Sequence, residues 1–253
     1  VDTMAGDGLS DASEGISMGN LTERGNSNLS ITRLQQDEIA AASHQRAAAA
    51  QEAGLFEQEI APLTIPQRKG EPLVISADQG VRGDSTTETL SRLRPAFSEE
   101  GTITAGNSSP ISDGAAALVL ASKDYAEAHG LTWLAEIGAA GQTAGPDNQL
   151  HHQPSRATAA ALQKAGWQAS DLDFWEINEA FAAIALASSD ELGVGAQKVN
   201  IHGGAIALGH PIGASGARIT LHAALELARR GNGKAAVSLC GGGGQGEALL
   251  LFR

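Results

Sequence analysis

Cysteine is nearly absent from this sequence, which has one, Cys240, in 253 residues. A single cysteine cannot form an internal disulfide, so a disulfide-stabilised scaffold is excluded and a reducing compartment is favoured; we expect the cytoplasm. Aromatic residues are also scarce, at 4% of the chain, whereas glycine occurs 31 times. This balance is typical of closely packed helices and sheets that are joined by tight loops.

Basic side chains are few as well: 17 lysines and arginines stand against 29 acidic residues, for a formal net charge of −12. Neutralising nucleic-acid phosphates requires clustered lysine and arginine, so we expect no nucleic-acid partner. No apolar run approaches the roughly 18–20 residues that cross a bilayer, and the first residues lack the basic and apolar regions of a signal peptide. We therefore expect no membrane partner.

The overall composition is that of a globular protein, with 42% hydrophobic and 18% charged residues. Residues 1–30 predict irregular chain, because glycine, asparagine and serine are scattered through them. Thr32 and Gln35 have the spacing of a capping box, so a helix is expected to begin there and to end at Gly54. Prolines and the lack of a helical period predict extended chain or loop over 62–72.

From Ser112 onward, short apolar runs of strand length alternate with stretches of helix length. This alternation predicts a layered α/β domain, and the last two strands, joined by a glycine-rich connection, are expected to be antiparallel. The predicted strands are 115–121, 133–141, 173–178, 198–204, 235–240 and 247–252. The predicted helices are 123–130, 155–166, 179–193 and 214–230.

Three segments with chemically capable side chains follow predicted strands, and ligands of open α/β sheets collect at strand ends. They contain Asn178, His210 and Cys240. Most lone cysteines are small buried hydrophobic residues. Cys240, however, directly precedes four glycines, which let a ligand approach the backbone closely and expose N–H groups. A thiol in that position can act as an acid or base beside a developing negative charge.

His210 lies between Gly209 and Pro211, just before the glycine-rich start of the helix predicted at 214–230. A histidine is more often structural than catalytic, but an imidazole near a helix N-terminus can donate to an oxyanion or share a proton with a thiol. Asn178, at a strand-to-helix junction, has two interpretations: it caps the helix, or its amide positions a water molecule.

Together these segments resemble the C-terminal motifs of thiolases in their order and separation. Upstream segments also resemble thiolase sequences, so the likeness covers nearly the whole chain. The segments are NEAFA at 178–182, GGAIALGHPIGASGAR at 203–218 and CGGGGQG at 240–246, and upstream DGLSDA, SMGNLTE, LRPAF and TAGNSSPISDGAAAL. The resemblance implies the layered αβαβα thiolase fold, with a CoA-binding loop domain at 1–112, the last strand and helix of the N-terminal half at 113–130, and the C-terminal half at 131–253.

Thiolases form or cleave the carbon–carbon bond of a 3-ketoacyl-CoA and pass the acyl group through a cysteine thioester. The resemblance implies that His210 activates the nucleophilic thiol, and that Cys240 exchanges a proton with the α-carbon of acetyl-CoA. It also implies that Asn178 holds a water that joins His210 in one oxyanion hole, while the backbone N–H of Gly242 contributes to a second. This chemistry requires donors where the enolate oxygen becomes negative.

Coenzyme A, as acetyl-CoA, is implied as the substrate, with no permanently bound cofactor. The family pattern places contacts to it at six positions: Met18, Arg82, Phe97, Ala105, Ser109 and Phe181. No metal is expected, because the neighbouring His151 and His152 point apart and no further ligand cluster is visible. Two departures bear on acyl-chain preference: Ser17 stands where many biosynthetic thiolases have histidine, and Leu150 where a methionine usually touches the substrate.

The largest departure concerns the nucleophile, since no cysteine precedes Cys240. The sequence therefore resembles the C-terminal two-thirds of a thiolase, lacking the N-terminal segment with the nucleophilic cysteine. We expect a companion polypeptide to supply that segment and to pair with the strand at 115–121, whose free edge would otherwise favour aggregation. The chain alone is expected to be inactive, and the assembled unit to be a dimer or tetramer.

The leading hypothesis is an acyltransferase that forms acetoacetyl-CoA from two acetyl-CoA; the alternative within the family is degradative cleavage of longer 3-ketoacyl-CoAs. A second hypothesis is a non-catalytic CoA-binding assembly module, against which the set of His210, Cys240 and Asn178 argues. A third is a relative of the ketoacyl synthases, which pair two histidines, or histidine and asparagine, with the nucleophile. A cysteine followed by glycines favours the thiolases.

Overall fold

The computed structural model describes residues 2–253. The helices are α1 (Met18–Leu29), α2 (Arg33–Glu52), α3 (Thr87–Ser91), α4 (Lys123–Ala128), α5 (Gln153–Ala165), α6 (Ala182–Leu192), α7 (Ala205–Leu208) and α8 (Ser215–Arg230). The strands are β1 (Leu63–Ile65), β2 (Leu73–Ile75), β3 (Glu136–Ala144), β4 (Phe174–Ile177), β5 (Lys234–Gly241) and β6 (Gln245–Phe252). Short π- or 3-10-helical turns lie at Met4–Gly8, Ala169–Asp171 and Ala196–Lys198.

The main sheet has four strands in the order β3-β6-β5-β4. β6 runs antiparallel to both β3 and β5, whereas β4 and β5 are parallel. The expectation of an antiparallel final pair is therefore confirmed. α5 packs on one face of this sheet and α8 on the other, each closing its own hydrophobic core. The result is the helix–sheet–helix layering that the alternation of elements predicts.

Alternation along β4 divides its side chains between the two cores. Phe174 packs against Ile219 of α8, whereas Trp175 faces the α5 side. Successive side chains of a strand point to opposite faces, so Glu176 and Asn178, which follow Phe174 in steps of two, share its face. Both polar side chains therefore face the helix that follows His210.

Several helix ends form where the sequence predicts them. Thr32 caps α2 and makes the complete capping box with Gln35. Gly166 closes α5 at a φ of 67°, and Gly231 closes α8 at a φ of 78°. These left-handed conformations favour glycine, because any side chain there would be strained.

The prediction of irregular chain over residues 1–30 is wrong for its second half, where α1 forms. Ser17 caps this helix by accepting a hydrogen bond from the backbone N–H of Asn20 at 3.1 Å. Leu21 is fully buried on the helix. Tertiary packing of that face outweighs the weak helix propensity of the glycines and asparagines around it.

The strand predicted at 115–121 is not formed. Residues 111–121 have no regular secondary structure, and Val119 and Leu120 are 98% and 70% exposed. An apolar run becomes a buried strand only where a neighbouring strand satisfies its backbone groups. No strand within residues 2–253 pairs with this segment.

The strand predicted at 198–204 is also wrong. Only Val199 pairs, through a single parallel bridge to Trp175, and the next residue, Asn200, has a φ of 47° that ends the extended chain. The amide of Asn200 instead bonds the backbone of Ile177, accepting from its N–H and donating to its carbonyl, both at 2.9 Å. A side chain therefore takes the place of a strand at this edge of the sheet.

The first part of the chain packs over one side of the main domain. α2 contacts α6 and α7, and β1 and β2 form an exposed antiparallel hairpin. Across residues 2–253, no helix has both the length and the apolar character required to cross a membrane.

Candidate active site

The end of β4 brings Asn178 next to His210. The backbone N–H of Asn178 donates to the carbonyl of Ser238 on β5 at 2.9 Å, which continues the parallel ladder and fixes the residue at the sheet edge. Its Nδ2 lies 3.4 Å from Nε2 of His210. α6 begins at Ala182 and has Phe181 at its N-cap position, so the interpretation of Asn178 as a helix cap is wrong.

Two serines hold His210 in place. Nδ1 of its imidazole lies 2.6 Å from Oγ of Ser215, and the backbone N–H of His210 donates to Oγ of Ser112 at 3.2 Å. The Ser215 hydroxyl also lies 3.1 Å from the carbonyl of Pro211. In the tautomer that carries its proton on Nδ1, the lone pair of Nε2 faces the amide of Asn178.

His210 is a neutral base at physiological pH. Burial, with a smaller contribution from the nearby Arg218 cation, lowers the pKa of His210 to about 4. A neutral imidazole can take a proton from a thiol, whereas an imidazolium cannot. The site therefore holds its base in the form that nucleophile activation requires.

The side-chain oxygen of Asn178 is available to accept a hydrogen bond. Asn178 is 1% exposed, and its Oδ1 has no hydrogen-bond partner within residues 2–253. A buried amide oxygen without a donor costs free energy, so this atom favours a small molecule that donates a hydrogen bond. The geometry fits the implied water at Asn178, and that role stays a prediction.

Cys240 lies near the end of β5 in an apolar environment. The buried members of its cluster are Leu21, Leu150 and Ile184, and Met18, Ala180 and Phe181 pack against them together with Cys240. The residue as a whole is half-buried, but burial of the thiol raises the pKa of Cys240 to about 12. The thiol is protonated at neutral pH, which suits a proton donor better than a nucleophile.

Cys240 is linked to Asn178 and His210 by the NEAFA segment, which contributes to the same apolar cluster as Cys240. Ala180 and Phe181, which follow Asn178 by two and three residues, pack in the cluster with Cys240. Within residues 2–253 no hydrogen bond joins Cys240 directly to His210. The two predicted acid/base residues are therefore neighbours across the NEAFA segment rather than a bonded pair.

Most of the expected CoA contacts gather around the same cluster. The rings of Phe97 and Phe181 meet edge to face with centroids 5.9 Å apart. Oγ of Ser109 donates at 3.0 Å to the carbonyl that precedes Phe181. Met18 lies against Gly242, where an added Cβ would stand 2.8 Å from the methionine Cε. Residues from four separate parts of the sequence thus form one surface.

The structure does not bring Arg82 and Ala105 into this group. The Arg82 side chain is exposed, and its backbone N–H donates to Nδ1 of His44 at 3.2 Å. Ala105 is exposed on a turn that Asn107 closes by accepting from the backbone N–H of Thr104. Within residues 2–253, neither residue bonds to another predicted site residue, and their contacts to CoA stay predictions.

Sequence reasoning missed two buried carboxylates beside the site, those of Glu176 and Glu179. Glu179 accepts hydrogen bonds from Ser43 and Asn200, each at 2.7 Å, and burial raises its pKa. Glu176 is 1% exposed. The two glutamates of the strand-end segment DFWEINEA are the signal that could have found them, because buried acids are rare away from functional or paired positions.

The neighbouring histidines at 151 and 152 bind different parts of the chain. Nε2 of His151 lies 2.8 Å from Oδ1 of Asn26, and burial lowers the pKa of His151 to about 4. His152 lies 3.4 Å from the carboxylate of Glu191. Among the residues that the structure describes, no group of three or more histidine, cysteine or acidic side chains is arranged to hold a metal ion.

Two family models together match nearly the whole chain. The thiolase N-terminal domain matches residues 1–124, and the thiolase C-terminal domain matches residues 131–253. The chain belongs to the thiolase family. The expectation that it lacks its N-terminal thiolase portion is corrected to this extent, because residues 1–124 match the N-terminal domain.

Relatives of known sequence carry acetyltransferase names. A probable acetyl-CoA acetyltransferase of Mycolicibacterium smegmatis is 58% identical over 253 residues, which are 100% of this thiolase chain and 65% of the relative. An acetyl-CoA acetyltransferase of Chromobacterium violaceum is 49% identical over 253 residues, again 100% of the chain and 64% of the relative. The chain thus spans slightly less than two-thirds of the length of these relatives.

Solved structures confirm the thiolase fold. The acetyl-CoA acetyltransferase of Bacillus anthracis superposes with a TM-score of 0.94 at 42% identity, over 98% of this chain and 63% of that one. Human mitochondrial 3-ketoacyl-CoA thiolase superposes with a TM-score of 0.89 at 37% identity, over 97% of this chain and 62% of that one. The fold is therefore shared by thiolases of both names.

Proposed function

We propose that this chain provides the acid/base and CoA-binding portion of a thiolase that condenses two acetyl-CoA to acetoacetyl-CoA and CoA, or catalyses the reverse thiolysis. The observation that carries the proposal is the setting of His210, whose Nδ1 is held by Ser215 while its Nε2 faces Asn178. The names of the relatives from M. smegmatis and C. violaceum agree with this activity.

In the first half-reaction, Nε2 of His210 takes the proton of the nucleophilic thiol. The thiolate attacks the thioester carbonyl of acetyl-CoA, the bond to the CoA sulfur breaks, and the proton passes from His210 to the departing CoA thiolate. An acyl-enzyme thioester and free CoA remain. His210 is neutral again at the end of this step, as it was at the start.

In the second half-reaction, a proton leaves the α-carbon of another acetyl-CoA, and the resulting enolate attacks the acyl-enzyme carbonyl. The carbon–carbon bond forms as the enzyme thiolate leaves. In condensation, the Cys240 thiol first passes its proton to Nε2 of His210, and the resulting thiolate takes the α-proton; His210 then returns its proton to the leaving enzyme thiolate. In thiolysis, the Cys240 thiol, which its high pKa keeps protonated, donates its proton to the enolate carbon. The N–H of Nε2 that His210 carries at this stage, with a water held by Asn178, stabilises the enolate oxygen.

The nucleophilic thiol is proposed to come from a companion N-terminal thiolase segment outside these 253 residues. Cys240 is the one cysteine of the sequence, and its raised pKa opposes a nucleophilic role. The exposed apolar run at 115–121 supports a docking place for this companion, because a pairing strand would cover Val119 and Leu120 and satisfy the backbone between them.

The experiment is an assay of acetoacetyl-CoA thiolysis by the chain alone, and by the chain mixed with the part of the M. smegmatis relative that lies outside the match. Turnover is expected only in the mixture, and His210→Asn should abolish it, whereas His129→Asn, at an exposed histidine, should not. Size-exclusion chromatography of the mixture tests the proposed dimer or tetramer.

Each contrary result has a distinct meaning. Turnover by the chain alone contradicts the proposal that a companion segment supplies the nucleophilic thiol. CoA binding without turnover in the mixture contradicts the enzyme proposal and favours a CoA-binding assembly module. A rate that rises with the length of the 3-ketoacyl-CoA contradicts the preference for acetoacetyl-CoA and favours a degradative thiolase.

A further inference from the structure

Charged groups of β4 and α8 face each other behind His210 without direct partners. Both carboxylate oxygens of Glu176, together with Nε and Nη2 of Arg218, are buried and make no hydrogen bond within residues 2–253. Oδ1 of Asn178 is a further such atom at the same interface. Buried polar atoms are normally paired, so this concentration on one interface requires an explanation.

The fold places these side chains in line with His210. Glu176 and Asn178 lie two residues apart on β4 and point toward α8. On α8, Arg218 follows Ser215 by nearly one turn, and Ser215 holds Nδ1 of His210. The charge of Arg218 lowers the pKa of both Glu176 and His210, in each case as a smaller cause than burial.

Other ionisable groups also face this interface. His222 of α8 donates to Glu59, from the segment after α2, at 2.9 Å, and its charge acts on Glu176 more strongly than that of Arg218. Glu179 accepts from Ser43 and Asn200. Burial raises the pKa of Asp78, and the charge of Arg218 lowers it.

A carboxylate and a guanidinium that were both dehydrated and unpaired would destabilise the fold strongly. Polar sites of this kind hold water that donates to the carboxylate and accepts from the guanidinium. A cation also disfavours the charged form of a nearby imidazole. These two effects together suggest what the arrangement does.

We propose that Glu176 and Arg218 form a water-bridged charge pair behind His210, in which Arg218 is a positioning residue whose charge adds to burial in keeping the imidazole neutral. Glu176 is the group whose ionisation His210 senses through Arg218. The inference deepens the proposed function, since it concerns the proposed base. The inference concerns the protonation of His210, which can be measured by titration without an activity assay.

The test is an NMR titration of the full chain with isotope-labelled histidine, in which His210→Asn identifies the His210 signal. The wild type should titrate with a pKa of about 4 and show a second, smaller inflection near pH 7, where Glu176 ionises. Arg218→Gln should raise the His210 pKa by about one pH unit, whereas Arg218→Lys, which keeps the charge, should not. Glu176→Gln should remove the second inflection and leave the first.

Arg229→Gln is the matched control, because Arg229 lies on the same helix but is exposed and bonded to Glu226. Equal His210 titrations in Arg218→Gln and Arg229→Gln, or a second inflection that survives Glu176→Gln, would overturn the proposal. A crystal structure without ordered water between Glu176 and Arg218 would overturn the bridge. A failed thiolysis assay with these titrations intact would count against the proposed function alone.

Discussion

The hydroxyl of Ser215 lies 2.6 Å from Nδ1 of His210 and 3.1 Å from the carbonyl of Pro211. One residue in the first turn of α8 therefore orients the imidazole through one of its two nitrogens. Asn178 meets the other nitrogen at 3.4 Å. This relationship between a helix start and a strand end leads to the first prediction.

Ser215→Ala should lower thiolysis by about tenfold or more in kcat, with KM little changed, because the imidazole loses the hydroxyl that orients it. NMR of labelled histidine should show a mixture of His210 tautomers. Thr220→Ala is the matched control, since Thr220 also bonds a backbone carbonyl four residues back on α8, at 2.7 Å, but touches no histidine. A loss of activity that is equal in both variants would contradict this role of Ser215.

Cys240 can be followed directly, because it is the one thiol of the sequence. Alkylation of the folded chain at pH 8 should be roughly a thousandfold slower than in guanidinium chloride, because burial raises the pKa of the folded thiol to about 12 while an exposed cysteine has a pKa of about 8.5. The measurement is the rate of iodoacetamide incorporation against pH. Equal rates in the folded and unfolded chain would show that the thiol is not held protonated by its surroundings.

Leu150→Ala should open the apolar cluster beside Cys240. Leu150 is 3% exposed, so its truncation should lower the free energy of unfolding by about 2–5 kcal/mol. Water that enters the cavity should also speed the alkylation of Cys240. Leu34→Ala, at a leucine that is 60% exposed on α2, serves as the control and should change stability by less than about 1 kcal/mol. An unchanged alkylation rate in Leu150→Ala would contradict the link between this cluster and the thiol.

Glu176 makes stability depend on pH. Burial raises the pKa of Glu176 from 4.5 to about 7 in the folded chain. A group whose pKa is higher in the folded chain than in the unfolded chain makes its full contribution to stability below the unfolded pKa. This contribution is lost as the pH rises through the folded pKa. The wild type should therefore lose stability relative to Glu176→Gln between about pH 4.5 and 7, by roughly 3 kcal/mol at most.

Urea unfolding of the wild type and Glu176→Gln at pH 5 and pH 8 measures this difference. Glu247→Gln, at an exposed residue of β6, is the control and should show no pH-dependent difference from the wild type. A stability difference between the wild type and Glu176→Gln that stays constant over this range would mean that Glu176 does not titrate there.

Val119→Asp tests the exposed apolar run. Val119 is 98% exposed, so the substitution should change the stability of the chain alone by less than about 0.5 kcal/mol. It should weaken binding of the proposed companion by about tenfold or more, because a charge would enter the paired strand. Binding is measured by titration calorimetry with the companion segment. Val74→Asp in β2 is the control, and equal binding of both variants would place the companion elsewhere.

The sequence alone was sufficient for elements whose signals are local. The capping box at Thr32, the glycine at 166 and the antiparallel final pair need only a few neighbouring residues, and the structure confirms them. The resemblance to thiolases implied that Asn178 and His210 act together, and the structure places Nδ2 of Asn178 3.4 Å from Nε2 of His210.

Three segments depended on contacts that are distant in sequence. α1 forms because Leu21 is buried against later residues, which its glycines and asparagines do not indicate. The run at 115–121 has strand composition but no strand beside it within residues 2–253. Asn200 bonds β4 by its side chain, so the segment that holds it leaves the extended conformation.

The sequence by itself therefore determined the family, the layered α/β class and the chemical identity of His210, Cys240 and Asn178, because residue type and spacing are local properties. Only the tertiary structure decided the state of these groups. Burial sets the pKa of His210 to about 4 and of Cys240 to about 12, and the packing of the described residues leaves buried atoms of Glu176 and Arg218 without hydrogen-bond partners. Desolvation and charge proximity arise when distant segments pack, so no local pattern of residues can fix them.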